Sequence, residues 1–190
     1  MLIEKVRLAT ADNHKKLEEQ LFPYINAIQL KEQYAKLLNA FYGYIFPVQE
    51  KIIQFINKDI VPDIMERRNA SFIANDLAAL NFPLNNNTAV ALPDIKDHAS
   101  AMGALYVLEG STLGGKIISK TIADKLQSTE ALSFFKGYGP ETGPMWKKFT
   151  QYLEHPYNLE HAETVAGTAT QTFLLFGTWF EKSLPVTNKA

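Results

Sequence analysis

The chain of 190 residues contains no cysteine, and this absence excludes a disulfide framework, a thiolate metal site and a cysteine nucleophile together. It also fits a reducing compartment, so a cytoplasmic protein is expected. A surplus of one charge is missing as well. Nineteen Lys and Arg face twenty Asp and Glu for a net charge of −1, which leaves no basic footprint for nucleic acid and no polybasic segment for a membrane surface. No apolar run approaches the roughly 18 residues that a spanning helix needs. The opening MLIEKVRLATADNH lacks the apolar centre of a signal peptide. Repeats, low-complexity tracts and interdomain linkers are absent too, and no segment alternates as a strand would.

What is present is helical periodicity and enough apolar mass for one core, with 46% hydrophobic and 12% aromatic residues. Apolar residues recur at three- and four-residue spacing from Leu2 to about Gln20, Lys31 to Asn57, Ile64 to Leu80, Ile95 to Gln127, Pro144 to His155 and Leu159 to Ser183. Breaks are expected at Pro23, around Pro83 and Asn85-Asn86-Asn87, at Gly137-Tyr138-Gly139-Pro140 and at Pro156. Pro47 predicts a kink if its segment is one helix. The expectation is a single all-α domain over residues 1–190, a bundle of about six to eight helices.

Two features do not fit an ordinary bundle. In the first segment, Ile3, Val6, Thr10, Leu17 and Leu21 form an apolar stripe that His14 interrupts. An imidazole turned into a core needs partners for both ring nitrogens. Glu18, one turn on, is within plausible reach of one nitrogen, and the other is then free for a metal. A core histidine satisfied by Glu18 or by backbone is the competing reading.

The second feature is GALYVLEGSTLGGK, residues 103–116, which places four glycines in a long helical segment at roughly 1 kcal/mol each against alanine. On one helix, Gly103, Gly110 and Gly114 fall within about 40° of each other, with Gly115 to one side. A face without side chains suits either a close helix neighbour or a flat ligand against the backbone. Glycines at 110, 114 and 115 also permit a kink.

An imidazole on one helix and a bare, kinkable backbone on another are the two walls a planar iron porphyrin needs. These residues carry a resemblance. VRLATADNHKKLEE and LYVLEGSTLGG are similar to the corresponding motifs of the bacterial, biliverdin-producing haem oxygenases. YAKLLNAFYGY, NDLAAL, MWKKFTQYL and ATQTFLLFGTWF follow in the family's order, so that the resemblance covers nearly the whole length. LYVLEGSTLGG is the most specific of them.

The resemblance implies that His14 is the proximal iron ligand, with Glu18 as its acidic neighbour, and that Gly110, Gly114 and Gly115 belong to a distal helix that moves against the haem. Arg7, on the His14 face two turns or ~10 Å along the axis, and Lys147 would meet the haem propionates. Tyr106 would hydrogen-bond a propionate or fill core, and Phe173 would pack in the core, touch haem, or both. Haem would serve as both cofactor and substrate. Dioxygen (O2) would bind on the glycine side, and the ring would open to biliverdin with loss of carbon monoxide and ferrous iron.

Animal members of the family carry an aspartate directly after the distal glycine, whereas this chain has Ser111. A serine holds a water but does not act as a carboxylate, which leaves the proton route open. Glu109, about 100° round the helix from Gly110, is a poor substitute. His98, His155 and His161 receive no role. No flavin or nicotinamide fingerprint is present, so an external electron donor of the ferredoxin or flavodoxin reductase type is expected, with a monomer or weak dimer as the assembly. A haem carrier or sensor without turnover is the alternative function. A thiamine-degrading enzyme is disfavoured by the missing cysteine, and a di-iron bundle by the absence of any Glu-x-x-His pair.

Overall fold

The computed structural model describes residues 1–184. Among them are eight α-helices and no strand: α1 (Leu2–Ala27), α2 (Lys31–Ile52), α3 (Ser71–Ala79), α4 (His98–Leu126), α5 (Ser133–Lys136), α6 (Thr142–Leu153), α7 (Pro156–Glu160) and α8 (Ala162–Ser183). Short 3-10 turns cover Ile64–Glu66 and Gly139–Glu141.

The boundaries correct the sequence expectation in three places. α1 continues through Pro23 to Ala27. A proline removes one helical donor, and the apolar stripe continues past it with Leu21 and Ile25 both buried, so packing holds the helix together. α2 likewise includes Pro47 and ends at Ile52, not near Asn57. The segment from Ile64 to Leu80 is not one helix. It is a 3-10 turn and a nine-residue helix separated by a turn that carries Arg67 and Arg68, both buried.

Three long helices set the frame. Lys5 meets Glu163, Thr170 donates to the Ala9 carbonyl oxygen at 3.3 Å, and Gln20 donates to Glu181 at 2.6 Å, so α1 and α8 ascend side by side. α4 starts beside α7, where His98 stacks on Tyr157, and crosses α8 at Gly103. All three helices therefore run the same way. α2 runs against them, tied by the Tyr44 hydroxyl donating to the Thr172 carbonyl at 2.7 Å and by Trp179 Nε1 donating to the Ala40 carbonyl at 2.7 Å. Each bond satisfies a polar atom on an otherwise apolar aromatic body, which lets Tyr44 sit fully buried against Phe176.

The helix ends nearest the site are held by side chains. Leu2 and Ile3 amides donate to the Glu154 carboxylate at 3.1 and 2.9 Å, fixing the start of α1 to the end of α6. Asp97 caps α4 by accepting from the Ser100 amide at 2.8 Å.

Candidate functional site

On α1 the stripe is buried as expected at Val6, Thr10, Leu17 and Leu21, but His14 is not a core residue. Its side chain is 52% exposed. Phe173 of α8 meets the ring edge-on, with centroids 5.2 Å apart and planes at 84°, which steers the imidazole without capping a nitrogen. Nδ1 lies 3.7 Å from Glu18 Oε2, inside ion-pair range but beyond a hydrogen bond. The reading of a core histidine satisfied by Glu18 or backbone does not describe this side chain.

The four glycines of α4 divide into two kinds. A β-carbon built on Gly103 would lie 2.3 Å from the Val165 carbonyl oxygen, and one on Gly115 would lie 2.1 Å from that of Phe135. These two glycines admit α8 and α5 to close range, so Gly115 has a packing reason for its missing side chain. Gly110 and Gly114 differ. A β-carbon on Gly110 would rest at ordinary contact, 3.6 Å from the Trp146 ring, and one on Gly114 would meet nothing within 4 Å. On the same flank Leu113 is 48% and Ile117 62% exposed. The expected single bare face of Gly103, Gly110 and Gly114 is therefore two surfaces. One is filled by protein, and the other is an open apolar strip. α4 passes through all of it without interruption.

Tyr106 brings the two helices together. Its ring packs against Trp146 at 5.7 Å, its side chain is buried, and its hydroxyl meets the Thr10 side chain of α1. Burial raises the phenol above its ordinary pKa, against the opposing effects of Thr10 and of the Arg7 charge, so Tyr106 stays protonated at neutral pH. With α1 and α4 parallel, one further turn along each helix leads from Thr10 to His14 and from Tyr106 to Gly110. The exposed imidazole and the open strip thus stand at matching heights on neighbouring helices. Arg7 and Lys147 are both exposed. Grooves along the α1–α8 seam, one lined by Pro23 and Phe180 and one by Leu17 and Gly177, include neither His14 nor these glycines.

Behind α4 lies a polar cluster that sequence periodicity does not reveal. Arg67 donates to Asp63 through Nε and Nη2 at 3.0 and 3.1 Å, and pairs with Glu109 on its other side. Lys148 reaches Asp63 at 3.0 Å. Gly137 and Gly139 adopt φ of +56° and +57°, which bends the loop so that the Tyr138 hydroxyl donates to Glu109 and accepts from the Arg68 amide at 2.8 Å. Burial raises the Glu109 carboxyl against the pull of Arg67, Tyr138 and Arg68. Arg68 turns beneath α4 and donates to Ser111 and to the Leu108 carbonyl. Only the Arg67-Arg68 pair inside an apolar segment hinted at this cluster in the sequence.

These features fit a flat, apolar, iron-bearing ring. The imidazole is accessible and its ring is braced from the side. A strip of backbone and aliphatic carbon meets little besides the Trp146 ring among the described residues. Basic side chains are available for carboxylates at the edge.

Comparison with known proteins agrees with this fit. The family model described as Heme oxygenase matches residues 1–182. A heme oxygenase of Xanthomonas campestris pv. campestris (strain 8004) is 25% identical over 139 residues, covering 72% of this chain and 82% of that protein. The structure of heme oxygenase from Leptospira interrogans superposes with a TM-score of 0.75 at 20% identity, over 95% of this chain and 98% of that one, and shows the shared fold. The helical architecture and a family match spanning almost every described residue lead to one conclusion: the chain belongs to the heme oxygenase family, enzymes that degrade haem to biliverdin.

Proposed function

We propose that His14 is the axial ligand to haem iron, and that haem lies between α1 and the Gly110–Gly114 strip of α4 as substrate and cofactor together. The observation that carries this reading is the split among the glycines. Gly110 meets only the Trp146 ring, at ordinary contact, and Gly114 meets no described atom within 4 Å, one turn and two turns beyond the point where α1 and α4 touch. When bound, haem supplies an iron that activates dioxygen and a ring that is itself oxidised to biliverdin, with release of carbon monoxide and ferrous iron.

The chain's own contribution is placement. Phe173 limits rotation of the His14 ring, and Glu18 stands on the Nδ1 side, which leaves the other nitrogen for the metal. The bare strip admits a small molecule on the side opposite His14 and offers no acid there. Gly115 keeps α4 seated on α5, so that the strip holds its height. Arg7 and Lys147 attract the propionates from solvent. Tyr106 holds α1 to α4 at the inner end of the site and fixes how deeply a ring can enter. Phe173 both braces His14 and closes the wall behind it.

Heme oxygenases need external electrons, and here the donor is proposed to be a ferredoxin or flavodoxin reductase system acting in the cytoplasm on one domain spanning the chain. No helix among the described residues is long and apolar enough to cross a membrane. The test is to add haemin and a reductant to the wild type and to His14→Ala. The wild type is expected to lose its Soret band and yield biliverdin. The variant is expected to lose the axial-ligand signature and the turnover, with free imidazole restoring part of both. Equal haem binding and degradation by the two proteins would refute the assignment.

A further inference from the structure

Ser111 follows Gly110 on α4 and is exposed at the edge of the open strip. Its hydroxyl is not free to choose its role. The Ser111 proton is donated to the Leu108 carbonyl oxygen at 2.7 Å. On its other side Ser111 Oγ accepts from Nη2 of Arg68, which also donates to the Leu108 carbonyl at 2.8 Å. A serine hydroxyl has one proton and two acceptor sites. With the proton committed and one acceptor site occupied, one lone pair remains, next to the strip where haem is proposed to lie.

Arg68 itself has little freedom. It comes from the turn before α3 and is 7% exposed. Nη1 donates to the Phe134 carbonyl at 3.3 Å, and the guanidinium carbon stands 4.2 Å from the Phe134 ring centroid. The backbone amide of Arg68 is bonded to Tyr138. Among the described residues no carboxylate pairs with the guanidinium, and Glu109 is taken by Arg67 and Tyr138. Burial pushes Arg68 down to about 10, which still leaves it protonated at neutral pH. A buried, pinned cation therefore directs one of its hydrogens at Ser111, the residue that follows Gly110.

We propose that Arg68 is a positioning residue that locks Ser111 as an acceptor-only post at the edge of the Gly110–Gly114 strip. Ser111 then orients a water by taking a hydrogen from it and delivers no proton of its own. The aspartate of animal relatives is also an acceptor, so this arrangement gives a serine the polarity of a carboxylate without its charge. Protons for the reaction reach the strip through water oriented by Ser111, never from Ser111. The inference rests on the haem reading above.

Ferric haemin complexes titrated with fluoride test it, because fluoride only accepts hydrogen bonds and displaces a water, which donates. If Ser111 only accepts, Ser111→Ala weakens the hold on water alone, and fluoride affinity rises by roughly three- to tenfold. Ser111→Thr keeps the hydroxyl and is expected to match the wild type. Arg68→Lys keeps the charge but loses the fork, so it shifts fluoride affinity while Ser111 is present and has no effect in the Ser111→Ala background. A fall or no change in fluoride affinity in Ser111→Ala overturns the proposal, as does an Arg68→Lys shift that persists without Ser111. Should Arg68→Lys fail to fold in a thermal melt, the sign of the Ser111→Ala effect decides alone. Soret titration of the wild type comes first. Failure to bind haemin there overturns the haem reading and this inference together, whereas normal binding with the wrong fluoride sign overturns this inference only.

Discussion

Phe135 sets its carbonyl oxygen so close to Gly115 that a β-carbon on that glycine would lie 2.1 Å away, whereas a β-carbon on Gly114, the preceding residue, would touch nothing. Two adjacent glycines thus have opposite reasons to exist, and alanine separates them. In Gly115→Ala a backbone oxygen has to move, which costs about 1–3 kcal/mol and outweighs the helix-propensity gain of ~1 kcal/mol. Tm is expected to fall by several degrees. In Gly114→Ala the propensity gain is unopposed, and Tm of the haem-free protein is expected to rise by about 2–4 °C. The same methyl group projects into the proposed haem space and should slow haem degradation. Unchanged haem affinity and turnover in Gly114→Ala would place the ligand elsewhere.

The His14–Glu18 pair supports a graded prediction. At 3.7 Å and about half exposed on both sides, the pair is screened by water and contributes little in the haem-free protein. Glu18→Gln is therefore expected to weaken haem binding by less than about tenfold, with the difference fading at high salt. His14→Ala removes the proposed ligand itself and is not expected to share this salt dependence. Haem titrations at low and high ionic strength read both. A Glu18→Gln loss as large as that of His14→Ala would mean that the carboxylate acts on the iron side.

The helical frame was legible because its signal is local: a periodic stripe and its caps lie within one segment. The division of the glycines was not, because an angular position says which residues share a face and not what stands opposite. Gly103 and Gly114 share a face by angle, yet Val165 fills one and nothing fills the other. His14 shows the same limit. Its place beside a buried stripe suggested burial, and the rim position appears only once α8 is in place. Arg67 and Arg68 were hidden because their partners Glu109 and Ser111 lie some forty residues away, as separations of 42 and 43 show. Local pattern reads such a pair as polar residues in a helix, whereas the fold makes them its buried charge centre.

That charge centre predicts an acid limb. Asp63 accepts from Arg67 and Lys148, and despite the cost of burial, which acts to raise it, their bonds and charges hold its carboxyl below the ordinary value. A lowered folded-state pKa contributes stability that is present above the unfolded value near 4 and is lost as pH falls through the folded value. Asp63→Asn is expected to cost about 2 kcal/mol or more at pH 7, since Arg67 keeps only Glu109. The deficit should shrink as the pH is lowered below about 4, where the unfolded chain takes up the proton that folded Asp63 still resists. Urea unfolding at pH 7 and pH 3 measures it. A deficit of equal size at both values would assign the loss to packing, not charge.

The last prediction separates residues that hold the site from residues that hold the ligand. Tyr106 is buried against Trp146 and its hydroxyl lies beside Thr10, whose own proton goes to the Val6 carbonyl oxygen, so Tyr106→Phe removes one polar atom from the α1–α4 contact and leaves Thr10 bonded. The expected cost is about 0.5–1.5 kcal/mol of stability, with haem affinity changed by no more than a few fold. Arg7 and Lys147 are exposed and have no ion-pair partner among the described residues, so Arg7→Ala and Lys147→Ala should leave Tm within a degree or so. Each removes a charge proposed to meet the haem propionates. Haem affinity in these variants is expected to fall several-fold at low salt and to approach the wild type as ionic strength rises. If Tyr106→Phe instead loses haem affinity while keeping its Tm, the phenol points at a propionate, and the link between α1 and α4 must be carried by packing alone.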